Sequence, residues 1–266
     1  MPEGDTVYAA ARRLRVLDGH VVTTSDFRVP QHATADLVGA TVVTTVSRGK
    51  HLLTRFAPAD ASPPITLHTH LKMEGVWHVH APGSRWRRPA FEARVVLRTA
   101  AHEAVGFALG VVELVPTAEE DRVVGHLGPD LLGPDWDEDE AVRRMIADPE
   151  RPVGEVLLDQ RCLAGVGSVY RSELCFVAGV HPRTPIAQVG DVRRLARRAH
   201  QMLDLNKNRV ERTTTGDTRR GRQLWVYGKR GTPCPRCGTP VRRDEMGPEG
   251  QERIVYWCPS CQPVRD

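Results

Sequence analysis

The sequence predicts an α+β protein: an N-terminal helix, a two-layer β-sandwich, a helical segment and a C-terminal cysteine ribbon. Three observations carry this. Short runs of β-branched and apolar residues, punctuated by turn residues, fill the first half, as in a sandwich. Near Gly128-Pro129-Asp130 the pattern changes to helical spacing. Two Cys-x-x-Cys pairs then stand near the end of the chain. At 266 residues the chain is long for one domain and comfortable for two of ordinary size. Boundaries are expected at 1–132, 133–228 and 229–266.

In order, Glu3 to Leu17 reads as an amphipathic helix, because Val7, Ala10, Ala11, Leu14 and Leu17 recur at helical spacing and Gly19 supplies a stop. Strands are expected at His20–Thr24, Thr41–Ser47, His51–Phe56, Ile65–His70, Val76–His80, Ala93–Leu97 and Val105–Val115, with loops at Pro58–Pro64 and Ala81–Pro89. Helices follow at Glu138–Ala147, Val153–Asp159, Ser168–Ala178 and Gly190–Leu205. The second and third flank a tight Ala164-Gly165-Val166-Gly167 turn. The basic stretch Asn206–Gln223 has few apolar anchors and is expected to be a mobile loop.

The cysteines do not read as a disulfide framework. Cys234-Pro-Arg-Cys237 and Cys258-Pro-Ser-Cys261 are separated by twenty residues. Each pair offers two thiolates to one ion, and a hairpin would bring the pairs together, which suits one structural, tetrahedral Zn2+. Gly238, Pro235 and Pro259 fit the knuckles. Two redox motifs are the competing reading, and they lack the flanking βαβ pattern. Cys162 and Cys175 are expected to be small buried hydrophobes.

Composition excludes some classes. With 40% hydrophobic and 26% charged residues, general disorder is excluded. No apolar run approaches the ~20 residues of a membrane-spanning helix, and no basic leader or signal core opens the chain, so a soluble, intracellular protein without a membrane partner is expected. The net charge of +4 is unevenly spread: balanced over 1–132, −4 over 133–190 and +8 over 191–266. A polyanion partner for the last quarter fits this asymmetry, as does a solvated basic face. The glycine turn at 164–167 leads into a helix N-terminus, an arrangement that binds phosphate. Beside a basic loop and a ribbon, it favours nucleic acid.

Several motifs then coincide. They are Met-Pro-Glu-Gly-Asp (1–5), Ser-Arg-Gly-Lys-His-Leu-Leu (47–53), His-Leu-Lys-Met-Glu-Gly (70–75), Leu-Leu-Asp-Gln-Arg-Cys-Leu-Ala-Gly-Val-Gly-Ser-Val-Tyr-Arg-Ser-Glu-Leu (157–174) and Tyr-Trp-Cys-Pro-Ser-Cys-Gln (256–262). In this order they resemble the formamidopyrimidine-DNA glycosylase/endonuclease VIII superfamily of base-excision repair enzymes, closer to the endonuclease VIII branch. The resemblance implies a helix–two-turn–helix around residues 157–174 and a zinc ribbon at the end. It also implies a bifunctional DNA glycosylase/AP lyase acting on DNA with oxidised bases or abasic sites, a monomer, cytoplasmic and nucleoid-associated.

It further implies roles residue by residue. Pro2, unmasked by removal of Met1, is the nucleophile: a secondary amine with a reference pKa near ~8 is partly neutral at pH 7 and can attack a sugar C1′. Glu3 protonates the sugar ring oxygen. Lys50 contacts the phosphate beside the lesion and assists proton transfer. Met73 is the wedge that fills the gap left by an extruded nucleotide, flanked by Lys72 and Glu74. Gly165, Gly167 and Ser168 meet phosphate through the helix–two-turn–helix. Arg253 grips the phosphates around the flipped nucleotide from the ribbon and is linked to the final elimination, with Arg242 and Arg243 as competitors. Cys234, Cys237, Cys258 and Cys261 hold the metal.

The chain also departs from both branches. Lys72-Met73-Glu74 replaces the Gln-Leu-Tyr wedge of endonuclease VIII, and Val105-Gly106-Phe107-Ala108-Leu109 lacks the inserted Arg–Phe pair of the formamidopyrimidine branch. Ser168 stands where the family usually has Asn. Oxidised pyrimidines are favoured as substrates over oxidised purines. A non-catalytic reader of damaged or single-stranded DNA on the same scaffold is the alternative.

Overall fold

The computed structural model describes residues 2–264. They form two compact units that divide between His126 and Leu127.

The first unit opens with α1 (Gly4–Leu14), which tightens into a 3₁₀ turn at Arg15–Leu17 and stops at Gly19, where φ is +77°. Its strands are β1 (Thr24–Phe27), β2 (Thr41–Arg48), β3 (His51–Ala57), β4 (Ile65–His70), β5 (Val76–His80), β6 (Ala93–Arg98), β7 (Glu103–Phe107) and β8 (Val111–Pro116), followed by the short α2 (Asp121–Val124). Two four-stranded antiparallel sheets result, ordered β1-β6-β7-β5 and β2-β3-β4-β8. Their facing sides and α1 share one core, with Val7, Leu14, Leu52, Phe56, Leu67, Trp77, Val95 and Leu97 all buried. Each such side chain contributes about 1.5–3 kcal/mol of burial.

Two strand expectations are corrected. Residues 20–22 are not a sheet strand: Gly19 N–H donates to Val42 O, Val22 N–H to Ala40 O and Val42 N–H back to His20 O, and only from Thr23, which donates to Arg98 O, does the chain pair with β6. The first strand is therefore Thr24–Phe27, and Val21 keeps only an isolated bridge to Thr41. The single strand expected over Val105–Val115 is two strands in different sheets. Ala108 sits at φ +47°, its N–H donating to Glu92 O, and Gly110 N–H donates to His70 O. This corner carries the chain from β7 to β8.

The second unit contains α3 (Glu138–Met145), α4 (Val153–Leu158), α5 (Ser168–Ala178) and α6 (Val192–Asn206), then the hairpin β9 (Arg242–Met246) and β10 (Arg253–Trp257). Asp137 and Asp191 cap α3 and α6 by accepting from Glu140 N and Arg194 N. Gly179 closes α5 in the left-handed region. The helices bury Leu131, Met145, Leu157, Tyr170, Leu174, Leu195 and Leu203 together. A second cluster joins Phe176 of α5 to Val226, Cys234, Val241 and Cys258 of the ribbon. Cys162 and Cys175 are buried, and burial pushes the Cys175 thiol up to about 12.

The stretch 206–223 is better anchored than its composition suggested. Asn206, buried, bonds both ways with Thr213. Thr214 N–H donates to Gln223 O at 2.8 Å. Glu173 of α5, fully buried, accepts from the Thr214 hydroxyl and from the N–H groups of Trp225, Val226 and Tyr227.

Candidate functional site

In the first unit, Pro2 is half-buried and Glu3 is fully buried at the head of α1. Glu3 has extended backbone (φ −126°, ψ −175°), and its C=O accepts the first helical bond from Val7. Asp5 folds back onto Thr6 N–H at 2.8 Å. Met1, whose removal the sequence reading requires, lies outside the described residues.

Lys50 sits in the two-residue turn between β2 and β3, where Arg48 pairs with His51. Gly49 occupies the first turn position at φ +56°, the conformation such hairpins demand. This fixes Lys50 at the end of a long, well-paired hairpin rather than in a loose loop.

Residues 71–75 form a tight turn. Gly75 N–H donates to Leu71 O at 2.8 Å, and a Cβ on Gly75 would lie 2.3 Å from that oxygen, so only glycine fits. Leu71 anchors the turn in the core, Lys72 takes φ +51°, and Met73 is 60% exposed at the apex. The stem of Lys72 lies on Gly110, where an added Cβ would come within 2.2 Å of it. Arg88 donates to Glu74 O, tying the 81–89 loop to this turn. An apolar side chain is thus held out from a rigid base, as a wedge requires.

The face of β2-β3-β4-β8 turned away from the sandwich core carries a cluster of imidazoles. His51, His68 and His70 lie side by side on it, with Glu113 bonded to His68 and the His126 ring 6.1 Å from that of His51. Burial, then the charges of His70, His68, His126 and Lys72, pushes His51 down to about 3. Burial, then Lys72, Lys50 and His68, pushes His70 down to about 4. Both rings are therefore neutral at physiological pH.

In the second unit, Gly165 adopts φ +118° and donates to Gln160 Oε1, while Gln160 Nε2 holds Leu158 O and Val166 O. Gly167 is the N-cap of α5 with no side-chain cap, and Ser168, 3% exposed, is its first residue. The amides that open α5 thus follow a glycine turn, the arrangement that suits an anion.

Arg253 begins β10 opposite Met246 and is exposed. Among the described residues its guanidinium makes no ion pair, whereas Arg243 meets Glu245 at 3.2 Å. Arg171 of α5, fully buried, donates to both Arg253 O and Ile254 O and so pins this strand. The four ribbon cysteines place their sulfurs within 4.8 Å of one another. Two sulfur pairs lie 3.4 and 3.9 Å apart, near the ~3.8 Å edge of a tetrahedron with metal–sulfur bonds of about 2.3 Å. Arg236 N–H donates to Cys234 Sγ, and buried Gln262 accepts from Cys258 N–H. This set fits one tetrahedral metal ion.

The family model for the N-terminal domain of formamidopyrimidine-DNA glycosylase matches residues 1–108, and that for its H2TH domain matches residues 127–218. The probable endonuclease 8 2 of Streptomyces coelicolor is 53% identical over 98% of this chain and 94% of its own. The chain belongs to the formamidopyrimidine-DNA glycosylase/endonuclease VIII family. A second member, the DNA-(apurinic or apyrimidinic site) lyase Nei2 of Mycolicibacterium smegmatis, is 49% identical over 98% of this chain and 99% of its own. Both names fall in the endonuclease VIII branch. The fold is that of a Lactococcus lactis Fpg solved with DNA containing an abasic site, with a TM-score of 0.80 at 21% identity over 98% of this chain and 100% of that one.

Four features have contacts that the motifs alone do not disclose. Arg88, Arg171 and Glu173 carry no local signal that they fasten a turn, a strand and a loop. The histidine face did carry one: His68 and His70 alternate on β4 beside His51, so all three share one side of the sheet.

Proposed function

We propose that the chain is a bifunctional DNA glycosylase/AP lyase of base-excision repair. The observation that carries this is full-length likeness to a relative named as an abasic-site lyase, with Pro2 and Glu3 at the head of α1. The damaged nucleotide is extruded from the duplex at a cost of a few kcal/mol, and Met73, backed by Lys72, enters the gap. The Pro2 amine attacks C1′ and the base departs, while Glu3 protonates the ring oxygen as the sugar opens to an iminium. Loss of the C2′ proton then expels the 3′ phosphate, and a second elimination expels the 5′ phosphate, leaving a one-nucleotide gap.

Lys50, the Gly165–Gly167–Ser168 turn and Arg253 hold backbone phosphates. Cys234, Cys237, Cys258 and Cys261 hold one Zn2+ that fixes the ribbon; four thiolates leave no position for a reactive water. The three segments 1–132, 133–228 and 229–266 divide the labour into chemistry, backbone binding and phosphate clamping. Oxidised pyrimidines are the favoured substrates, and the enzyme works as a monomer among the DNA of the cytoplasm.

Borohydride trapping on DNA carrying an abasic site or 5-hydroxyuracil tests this, with the adduct mapped by mass spectrometry. Adducts on Pro2 in both are expected. Trapping at the abasic site alone would leave a lyase with another base substrate. No adduct from protein lacking Met1 would overturn the enzymatic reading in favour of a damage reader.

A further inference from the structure

The outer face of β2-β3-β4-β8 carries a hydrogen-bonded chain that no step above uses. Glu113 of β8 pairs with His68 of β4, and its Oε2 lies 2.8 Å from His68 Nδ1. His68 Nε2 lies 2.7 Å from His51 Nδ1, and the two rings stack with centroids 5.0 Å apart. A carboxylate only accepts, so His68 donates from Nδ1. A His68 that carries only this one proton accepts at Nε2, and His51 donates from Nδ1. The lone pair of His51 is left on Nε2.

The two ends of this chain differ. His51 directly follows Lys50, and its ring meets those of His70 and His126 edge-on. His70 Nδ1 accepts from Lys72 N–H at 2.9 Å, so His70 presents Nε2–H. At the other end the side chain of Glu113 is 47% exposed, against 5% for His68. The chain runs from the Lys50 turn, through a buried ring, to solvent.

We propose that His51, His68 and Glu113 form a proton relay serving the Lys50 turn, with His68 and Glu113 as positioning residues that fix the tautomer of His51. This rests on the assignment of Lys50 to the reaction. A proton taken at His51 Nε2 is matched by transfer of the Nδ1 proton to His68 Nε2. One N–H bond breaks on His51 and one forms on His68, so His51 stays neutral and the positive charge moves to a ring that already donates to a carboxylate. Transfer of the His68 Nδ1 proton to Glu113 Oε2 releases it to solvent, and the reverse sequence delivers one. Burial, the neighbouring imidazoles and Lys72 keep His51 from holding charge itself. The elimination steps remove protons from C2′ and C4′, where bound DNA excludes the water that would otherwise carry them.

Glu113→Gln keeps an acceptor for His68 while removing the charge. Single-turnover cleavage of an abasic-site duplex would be followed from pH 5.5 to 9, with borohydride trapping and Kd measured on the same DNA. The variant is expected to bind and trap like the wild type, with elimination at least about ten-fold slower and a displaced pH profile. An unchanged profile, or a uniform loss that tracks a lower Tm, would overturn the relay. If the wild type itself failed to trap, the lyase reading would fall instead. The relay has its own check in ¹⁵N NMR of the histidine rings: His51 is expected protonated at Nδ1 and bare at Nε2, and the opposite tautomer would overturn it.

Discussion

Two hairpins each present a cation, and they are held by opposite means. Lys50 caps β2 and β3, which pair over seven residue positions inside a four-stranded sheet and bury Leu52 and Phe56 in the sandwich core. Arg253 stands on β9 and β10, which form a sheet of two strands, marginal in water by itself. Four sulfurs and two buried polar side chains, Arg171 and Gln262, supply what the ribbon lacks in apolar surface. A cation can thus be placed by hydrophobic burial or by a sulfur cluster and hydrogen bonds. The second means makes position depend on a few groups, each of them costly to lose.

Breaking the cysteine cluster should give the largest effect. Structural zinc contributes roughly 10–16 kcal/mol of apparent binding free energy in small ribbons. Cys258→Ser, or a strong chelator, is expected to cut strand cleavage at least ~100-fold while the melting transition of the first unit stays in place. Loss of both together would show that the units are not independent. Next comes Arg171→Met, which strips the donor from Arg253 O and Ile254 O. Urea titration should show the second unit less stable by about 1–3 kcal/mol; under roughly 0.5 kcal/mol would mean that the cysteines alone hold the hairpin.

Acid sharpens the comparison from the other side. His51 and His70 titrate at about 3 and about 4 when folded, against about 6.5 in the unfolded chain. The unfolded state therefore binds more protons between those values, and the neutral-state stability, complete above pH 6.5, is lost as pH falls toward 4. Thermal melts of the first unit should show a loss of about 1–3 kcal/mol between pH 6 and pH 5, reduced in His51→Asn. A flat response would mean the rings are solvated. Gly49→Ala is the mildest change: forcing a Cβ to φ +56° should lower stability by about 1 kcal/mol in a thermal melt. A larger loss would show that the Lys50 turn, too, hangs on one residue.

Much of this was legible before the fold was known, for identifiable reasons. The Cys234–Cys237 and Cys258–Cys261 pairs declare themselves by spacing, because a tetrahedral ion demands it. Alternation located β2, β3, β4 and β5 nearly to the residue. The break at Ala108 was hidden, since alanine carries no mark of the left-handed backbone that splits Val105–Val115. Arg171 and Glu173 were hidden for a different reason. Charged residues inside a helix read as solvent-facing, and only the later chain, folding back to be gripped by them, buries both. The same holds for the loop after α6, whose anchors are backbone groups that composition does not reveal.

That loop is closed at its base. Thr214 and Thr215 bond to Gln223 and Arg222 carbonyls, with Glu173 beneath, so the tip between them, residues 216–222, is a cassette on a finished frame. Doubling the length of such a tip costs only about 0.6 kcal/mol in closure entropy. New tips, longer or differently charged, could be exchanged there without disturbing the helices below. Descendants of this chain could vary the length and charge of that tip and leave its frame untouched.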